Sequence, residues 1–512
     1  MTDRLRCLFK PAAFKSCIAL SVAVGLAACS DDGPALAVAI TNVTVVDATQ
    51  QIENATVLFS GDILTAVGPS STVTVPASAS VIDGTGKFLI PGLWDAHVHL
   101  SYYPDLGIEA SYPLFIANGI TSVRDTGGLT DIVLPMRDAA RAPGAIAPRV
   151  YLAGPLVDGT QRVYAGLNGR PNISVGVSTP EEARAEVDRL HGLGMDLIKL
   201  YEMNTPETFA AAAQRANELG LPITTHIPLS MDAVGAAEAG VDGMEHLRNL
   251  ELACAENYQT LLAERRKTLA ESTDMDGGDL RSTLHRMQRT AAIAAQDSAR
   301  CNAVMAVLAR EAVFQTPTLT VNTIATERLY ARPDFQDTYA YLPTKIQAQW
   351  DTGAQRFAES MQPTEAAKAF EAWSYAMVAN LNDGGVKVMA GTDSPIGFLT
   401  PGYSLHEELA LLVKGGLTPL DALRAATLYP AEFMRLDDKM GTVSVGKWAD
   451  LVLLDADPRE NIGNAKRINT VIKAGQVYDR AALDGLLRDL KVAHALPADS
   501  DGDGDGDGDV KE

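Results

Sequence analysis

Basic residues are in short supply. Against 64 Asp and Glu the sequence sets 43 Lys and Arg, a formal net charge of -21, and an acidic balance of that size excludes a nucleic-acid partner, which would need a basic face. Cysteine is scarce too, at five in 512 residues. A chain of 54.4 kDa has ample core without them, enough for one large domain and a smaller one. The apolar run at residues 17–28 falls short of the ~20 residues of a bilayer-spanning helix, which excludes it as a transmembrane segment.

That run reads as an address. Arg4, Arg6, Lys10 and Lys15 precede it, and it closes on Leu26-Ala27-Ala28-Cys29, a basic flank, short apolar core and small residues in signal-peptide order. The tetrapeptide resembles the bacterial lipobox. The resemblance implies a leader over residues 1–29, lipidation of Cys29 and a membrane-anchored exported protein, periplasmic or at the outer membrane. Cys7 and Cys17 would leave with the leader, so only Cys254 and Cys301 remain in the body. In an oxidising compartment they form either a disulfide or two buried thiols.

From residue 36 to 90 short alternating runs such as Val43-Thr-Val-Val-Asp47 and Ala55-Thr-Val-Leu-Phe59, broken by Gly, Pro, Asn and Asp, predict several β-strands with tight turns. The same texture returns after residue 441. The two β-rich segments, 30–92 and 437–480, are expected to fold together as a small β-sandwich with the central domain, 93–436, inserted between them. A C-terminal helix and an acidic tail would occupy 481–512.

In the centre a capped helix, a glycine and a short apolar strand recur. Thr179-Pro180-Glu181-Glu182 starts a helix that Gly194 ends, and Thr205-Pro206-Glu207 starts the next, ending near Gly220. Strands end at Lys199, His226 and His246. Successive units of this kind predict an α/β domain with a parallel sheet, and their number suggests a (β/α)8 TIM barrel, whose strand ends converge on one mouth. Residues about 254–380 exceed what two such units need and are helical in character, so a lid is expected there.

One stretch carries the chemistry. In Pro91-Gly-Leu-Trp-Asp-Ala-His97-Val-His99 an apolar strand ends in two histidines on one face, since side chains alternate with period two. Two imidazoles are half of a divalent-metal site and need ligands from elsewhere. Together with Ile198-Lys199-Leu-Tyr, Thr225-His226, Glu245-His246-Leu and Ala390-Gly-Thr-Asp393-Ser-Pro, the set resembles the amidohydrolase superfamily across almost the whole mature chain.

That resemblance, to the binuclear metal-dependent branch and its imidazolonepropionase-like and Xaa-Pro and Xaa-Arg dipeptidase-like members, implies a hydrolase of carbon-nitrogen bonds. His97, His99 and Asp393 would hold one metal, with zinc the expected ion, and His226 and His246 a second. Lys199, carrying a carbon dioxide-derived carbamate, would bridge them, and a hydroxide shared by two cations would be the nucleophile. Asp393 would move its proton to the leaving group. The implied substrate is a small amide, a dipeptide or an N-acyl amino acid. A cyclic amide, a lactone or a phosphotriester is the alternative, and a catalytically silent surface binding module is the alternative outside enzymes. Where the dipeptidases have a Gly-Gly-His-Gly-type loop this chain reads Gly154-Pro-Leu-Val-Asp-Gly-Thr-Gln-Arg162, which departs from strict dipeptidase specificity.

Other polar residues read less distinctly. Tyr201, two positions beyond Lys199, either polarises a scissile carbonyl or packs. Arg124 either binds a substrate carboxylate or pairs with an acid, and Arg162 and Arg170 are further candidate cations for a carboxylate. His406 reads as a helix-start residue, and His191, His285 and His494 as surface residues. Between Asp499 and Glu512 an Asp-Gly repeat satisfies most of a calcium-loop pattern, but the composition favours a disordered acidic tail.

Overall fold

The computed structural model describes residues 36–360 and 362–495. The 1–29 leader, Cys29 and the Asp-Gly tail lie outside the described residues. The first strands are β1 (Ala37–Val46), β2 (Gln51–Ser60), β3 (Ile63–Pro69), β4 (Ser80–Asp83) and β5 (Phe88–Pro91). The next are β6 (Leu93–Val98), β7 (Ile120–Asp125) and β8 (Arg149–Leu152), then β9 (Leu156–Gly159), β10 (Ser174–Val177), β11 (Ile198–Leu200), β12 (Ile223–Thr225), β13 (Gly243–Glu245) and β14 (Phe314–Thr316). β15 (Leu451–Leu454), β16 (Ile468–Lys473) and β17 (Gln476–Tyr478) complete the strands among the described residues.

The two β-rich segments do join, and β5 is the seam. It runs parallel to β1, pairing Leu89 with Val45, and antiparallel to β15, pairing Ile90 with Val452. Because both of its hydrogen-bonding edges are used, the ladder runs on as one eight-stranded sheet, β17-β16-β15-β5-β1-β2-β3 with β4 on β1, so the expected small sandwich is seen in part, its two segments joined in one continuous sheet. Its apolar side buries Ile40, Val57, Phe59, Leu89, Leu451 and Ile472. β1 shifts register between Ile40 and Val43, and Asn42 there takes φ 56, a left-handed conformation that a short amide side chain tolerates.

The central strands are parallel throughout. They form ladders of three, β6-β7-β8, and of six, β10-β9-β11-β12-β13-β14. Residues 386–394 reach both: Met389 N–H donates to Gln315 O at 2.8 Å, and Ala96 N–H donates to Ala390 O at 2.9 Å. At the other flank Asp196 N–H donates to Leu152 O at 2.9 Å. The ladders thus form two arcs that residues 386–394 join by several backbone bonds, with isolated parallel bridges from Val388 to Gln315 and from Ser394 to Val98, a mixed α/β arrangement. Its helices begin where the caps predict: Thr179 and Thr205 accept from the backbone of Glu182 and Thr208, with proline in the first turn.

Helices fill the stretch after His246, though not as one insertion. β14 pairs parallel with β13 and divides the expected 254–380 lid in two, because Phe314-Gln-Thr316 is buried throughout and continues the sheet. Before β14 come helices Tyr258–Glu271, Gly277–Ala294 and Ser298–Arg310; after it come Thr344–Ser360 and Glu365–Asp383. Cys254 and Cys301 are bonded to each other, which closes the base of the first excursion.

Closing a loop with a sequence separation of 47 removes chain entropy from the unfolded state. Replacing both cysteines by serine is expected to lower unfolding free energy by about 2–4 kcal/mol, measured by chemical denaturation. Alkylation of unreduced protein should leave both residues unlabelled by mass spectrometry, and two alkylated thiols would refute the bridge.

Candidate active site

The parallel strands bring His97, His99, Lys199, His226, His246 and Asp393 into one buried region. β6 carries His97, and His99 follows it, while Asp393 arrives on residues 386–394. The Asp393 N–H donates to His97 O at 2.8 Å. Its Oδ1 stands 3.3 Å from His97 Nε2 and 3.2 Å from His99 Nε2, so these three residues can converge on a single cation. The approach depends on Gly391, where a Cβ would lie 2.7 Å from His97 Cβ. Asp95 fixes the same turn: its carboxylate accepts from Thr392 N at 3.0 Å and from Thr392 Oγ1 at 2.7 Å. His246 and Asp393 both hold left-handed backbone, φ 61 and φ 63, strain of about 1–3 kcal/mol per residue that the surrounding bonds maintain.

Each histidine has its Nδ1 occupied. His97 Nδ1 lies 2.7 Å from Glu245 Oε2, His99 Nδ1 3.1 Å from Gly127 O, and His226 Nδ1 2.7 Å from Glu202 Oε1. His246 Nδ1 lies 2.6 Å from Thr318 Oγ1, whose hydroxyl is itself donated to Pro317 O. All four acceptors require Nδ1 to carry the proton, which leaves Nε2 as the lone pair. Burial holds the His226 and His246 imidazoles well below their ordinary value and therefore neutral. Neutral rings with Nε2 free are what a divalent metal binds.

Lys199 is 1% exposed, and its amine has no hydrogen-bond partner. Burial lowers its pKa to about 7, against the pull of Glu245. His97 Nε2 and Asp393 Oδ1 are likewise buried without a hydrogen-bond partner. Orphaned buried polar atoms of both signs, facing one another, fit a cation-holding site.

Several of the groups that hold this arrangement escaped the sequence reading. Glu245 accepts from the Arg124 guanidinium at 2.6 Å as well as from Thr224 and His97, and that charge keeps its carboxyl well below the usual range despite burial. It is the last residue of β13, and the left-handed turn at His246 lets both neighbours reach His97, Glu245 through Nδ1 at 2.7 Å and the His246 ring at 4.6 Å. Glu202 and Thr318 hold Nδ1 of His226 and His246 in the same way, Asp95 holds the Thr392 turn, and nothing in their spacing sets them apart. Arg124 is fully buried on Glu245, the Ala96 carbonyl and Thr316. Arg162 donates to Asn172 and Ser174 O, and Arg170 to Asp276 and Asp279. The Tyr201 ring stacks 4.2 Å from His226. His406 lies in the helix Tyr403–Lys414, with Nε2 3.0 Å from Asn118 O. His285 is not a surface residue: it is 7% exposed, because the helix Gly277–Ala294 turns it inward toward Glu202.

Parallel strands ending in a histidine and carboxylate cluster define an α/β protein whose His97, His99 and Asp393 could hold a metal ion. A family model described as the amidohydrolase family matches residues 88–478, and the chain belongs to that family. An imidazolonepropionase from Thermoplasma volcanium is 36% identical over 104 residues, 19% of this chain and 25% of its own length; the aligned stretch thus spans about a quarter of that relative. The bottromycin amidohydrolase structure superposes with a TM-score of 0.66 at 23% identity, covering 90% of this chain and 91% of its own. A Xaa-Pro dipeptidase with bound methionine gives 0.61 at 20%, covering 86% and 100%. A prolidase complexed with N-methylphosphonate-L-proline gives 0.60 at 20%, covering 87% and 100%. At these identities the structural likenesses show the fold.

Glu245→Gln tests the support beneath the histidines. It leaves the buried Arg124 charge uncompensated, at about 3–5 kcal/mol, and removes the carboxylate that orients His97. Metal affinity is expected to fall about 10–100-fold, measured by chelator competition with elemental analysis. Unchanged affinity would show that His97 needs no carboxylate behind it.

Proposed function

We propose that this enzyme is a metal-dependent hydrolase of amide bonds, acting on a dipeptide or an N-acyl amino acid through two divalent ions, with zinc the ion that suits the ligands. The observation that carries the reading is the set of four histidines, each with Nδ1 anchored, gathered about Asp393 and an unpartnered buried Lys199. The bonds from residues 386–394 to β6 and β14 and from Leu152 to Asp196 support a closed (β/α)8 barrel beneath them. The neighbours' ligands, methionine and N-methylphosphonate-L-proline, support a substrate with a free carboxylate.

His97, His99 and Asp393 would hold one ion, and His226 and His246 the other. Two cations, when bound, supply Lewis acidity toward a carbonyl and lower the pKa of water. A lysine ammonium between them would repel both, so Lys199 would serve as a carbamate. The neutral amine would form an N–C bond to carbon dioxide and release a proton to solvent, leaving a carbamate whose single negative charge is shared by two oxygens. Asp393, a carboxylate that a bound cation would keep ionised, accepts the proton of the attacking water at Oδ2 and returns it to the leaving nitrogen. An amine is too basic to depart without that proton. Amide hydrolysis therefore uses every group present.

Lys199→Ala is expected to lose most of the bound metal and nearly all turnover on a panel of dipeptides, N-acyl amino acids and lactones. Full occupancy with near-normal turnover would overturn the bridging role. Activity confined to lactones or phosphotriesters would favour the alternative substrates and leave the metal site standing. Anchoring through Cys29, supported by the basic flank and the Leu-Ala-Ala-Cys motif, predicts fatty-acid labelling that Cys29→Ser abolishes; labelling of the variant would refute it.

A further inference from the structure

The candidate cations of the sequence reading are engaged elsewhere, yet the site does not lack positive charge. The helix Gly277–Ala294, inside the excursion closed by the disulfide, sets Arg281, His285 and Arg289 four residues apart, hence along one face. With Arg248 and Arg286 they line a cleft of about 450 Å³ whose lining holds four arginines and no acidic residue. In a chain of net charge -21 that is a marked local reversal.

The cations there are underpaired. Arg248 Nε and Arg281 Nη1 both look to one carboxylate oxygen, Glu202 Oε1, from 3.7 and 3.8 Å, and that oxygen already accepts from His226 Nδ1 at 2.7 Å. Arg289 Nε stands 3.6 Å from Glu251. These separations exceed hydrogen-bond length, and Arg248 Nε, Arg289 Nε and the buried His285 Nε2 have no hydrogen-bond partner. Arg248 Nη1 lies 3.2 Å from His285 Nδ1 and Arg281 donates to Tyr201 Oη at 3.5 Å; Glu202 Oε2 and both Glu251 oxygens are unpartnered as well, so two carboxylates face three guanidinium groups without closing on any of them. At the cleft's edge Asn322 donates to His246 O at 2.9 Å, and Glu202 reaches His226, so the cleft adjoins the metal-holding histidines. Phe370 and Tyr164 set ring faces beneath Arg289 and Arg281, at 4.3 and 5.7 Å.

We propose that this cleft is the subsite for a carboxylate on the substrate, with Arg248 and Arg281 the residues that pair it. A planar carboxylate presents two oxygens to two guanidinium forks, satisfying donors that Glu202 alone does not. The inference deepens the amide-hydrolase reading by naming its substrates as acyl compounds with a free carboxylate set off from the scissile bond. It rests on that reading for the reaction and not for the binding.

The test therefore begins with a carboxylate and its primary amide, neither holding a peptide bond, with the recovered amide checked for hydrolysis after each titration. Metal-loaded full-length protein is titrated calorimetrically with 3-phenylpropionate and with 3-phenylpropionamide. The acid is expected to bind at least about tenfold more tightly than the amide. Arg281→Met and Arg248→Met are each expected to remove about 10–100-fold of its affinity, the range of a charge-assisted contact, with metal content and melting temperature retained, while Arg281→Lys keeps part of it. Equal binding of acid and amide would overturn the subsite. So would an acid affinity that both methionine variants retain and that metal removal abolishes, because the carboxylate would then sit on the metal. Arginine-dependent binding without hydrolysis of any N-acyl amino acid would remove the proposed reaction and uphold the cleft; hydrolysis with KM unchanged in both variants would do the reverse.

Discussion

The buried pair between Glu245 and Arg124 stands beneath everything this site does. One Glu245 oxygen takes the guanidinium and the Thr224 hydroxyl, and the other takes His97 Nδ1. Arg124 in turn spans to Ala96 O on β6 and to Thr316 on β14. Strands β6, β7 and β12 are thus tied to β13 through one carboxylate. A buried pair of this kind adds little net stability beside an apolar alternative, but losing either partner strands a charge in the interior. What it secures is orientation: His97 cannot rotate without breaking the bond that keeps Glu245 satisfied.

Glu202 plays the corresponding part on the other side, with a difference in its surroundings. It orients His226 at 2.7 Å and faces Arg248, Arg281 and His285 at 3.7 to 3.8 Å. The same carboxylate therefore touches the histidine of a proposed metal site and the cations of a proposed substrate site. Those cations hold its carboxyl below the ordinary range in spite of full burial. The helix carrying Arg281 and His285 hangs from a base closed by Cys254 and Cys301, which limits how far the two can move from Glu202.

Much of the architecture is legible in the chain because local rules decide it. Thr179-Pro180 and Thr205-Pro206 announce helix starts, and residues such as His97 and Lys199 sit on runs whose apolar neighbours have nowhere to go but a buried strand. β14 escaped because three residues, Phe314-Gln-Thr316, are too short for a period to show. That the two β-rich segments fold together was legible in their shared texture, and the sandwich is seen in part; that β5 pairs with β15, residues hundreds apart, has no local pattern to encode it.

The amino-acid sequence by itself determined the family, the six groups of the candidate metal site and the cap-and-strand rhythm that lines them up, since these rest on residue type and short spacing. The tertiary structure alone decided which nitrogen of each histidine is free, because Glu245, Gly127, Glu202 and Thr318 come from separate strands and turns. It decided too that Arg124 is a counter-ion and that Arg248 and Arg281 face the mouth. Arginine looks the same in a sequence wherever it lies, and only burial and the distance to a carboxylate distinguish a structural cation from one still free to bind.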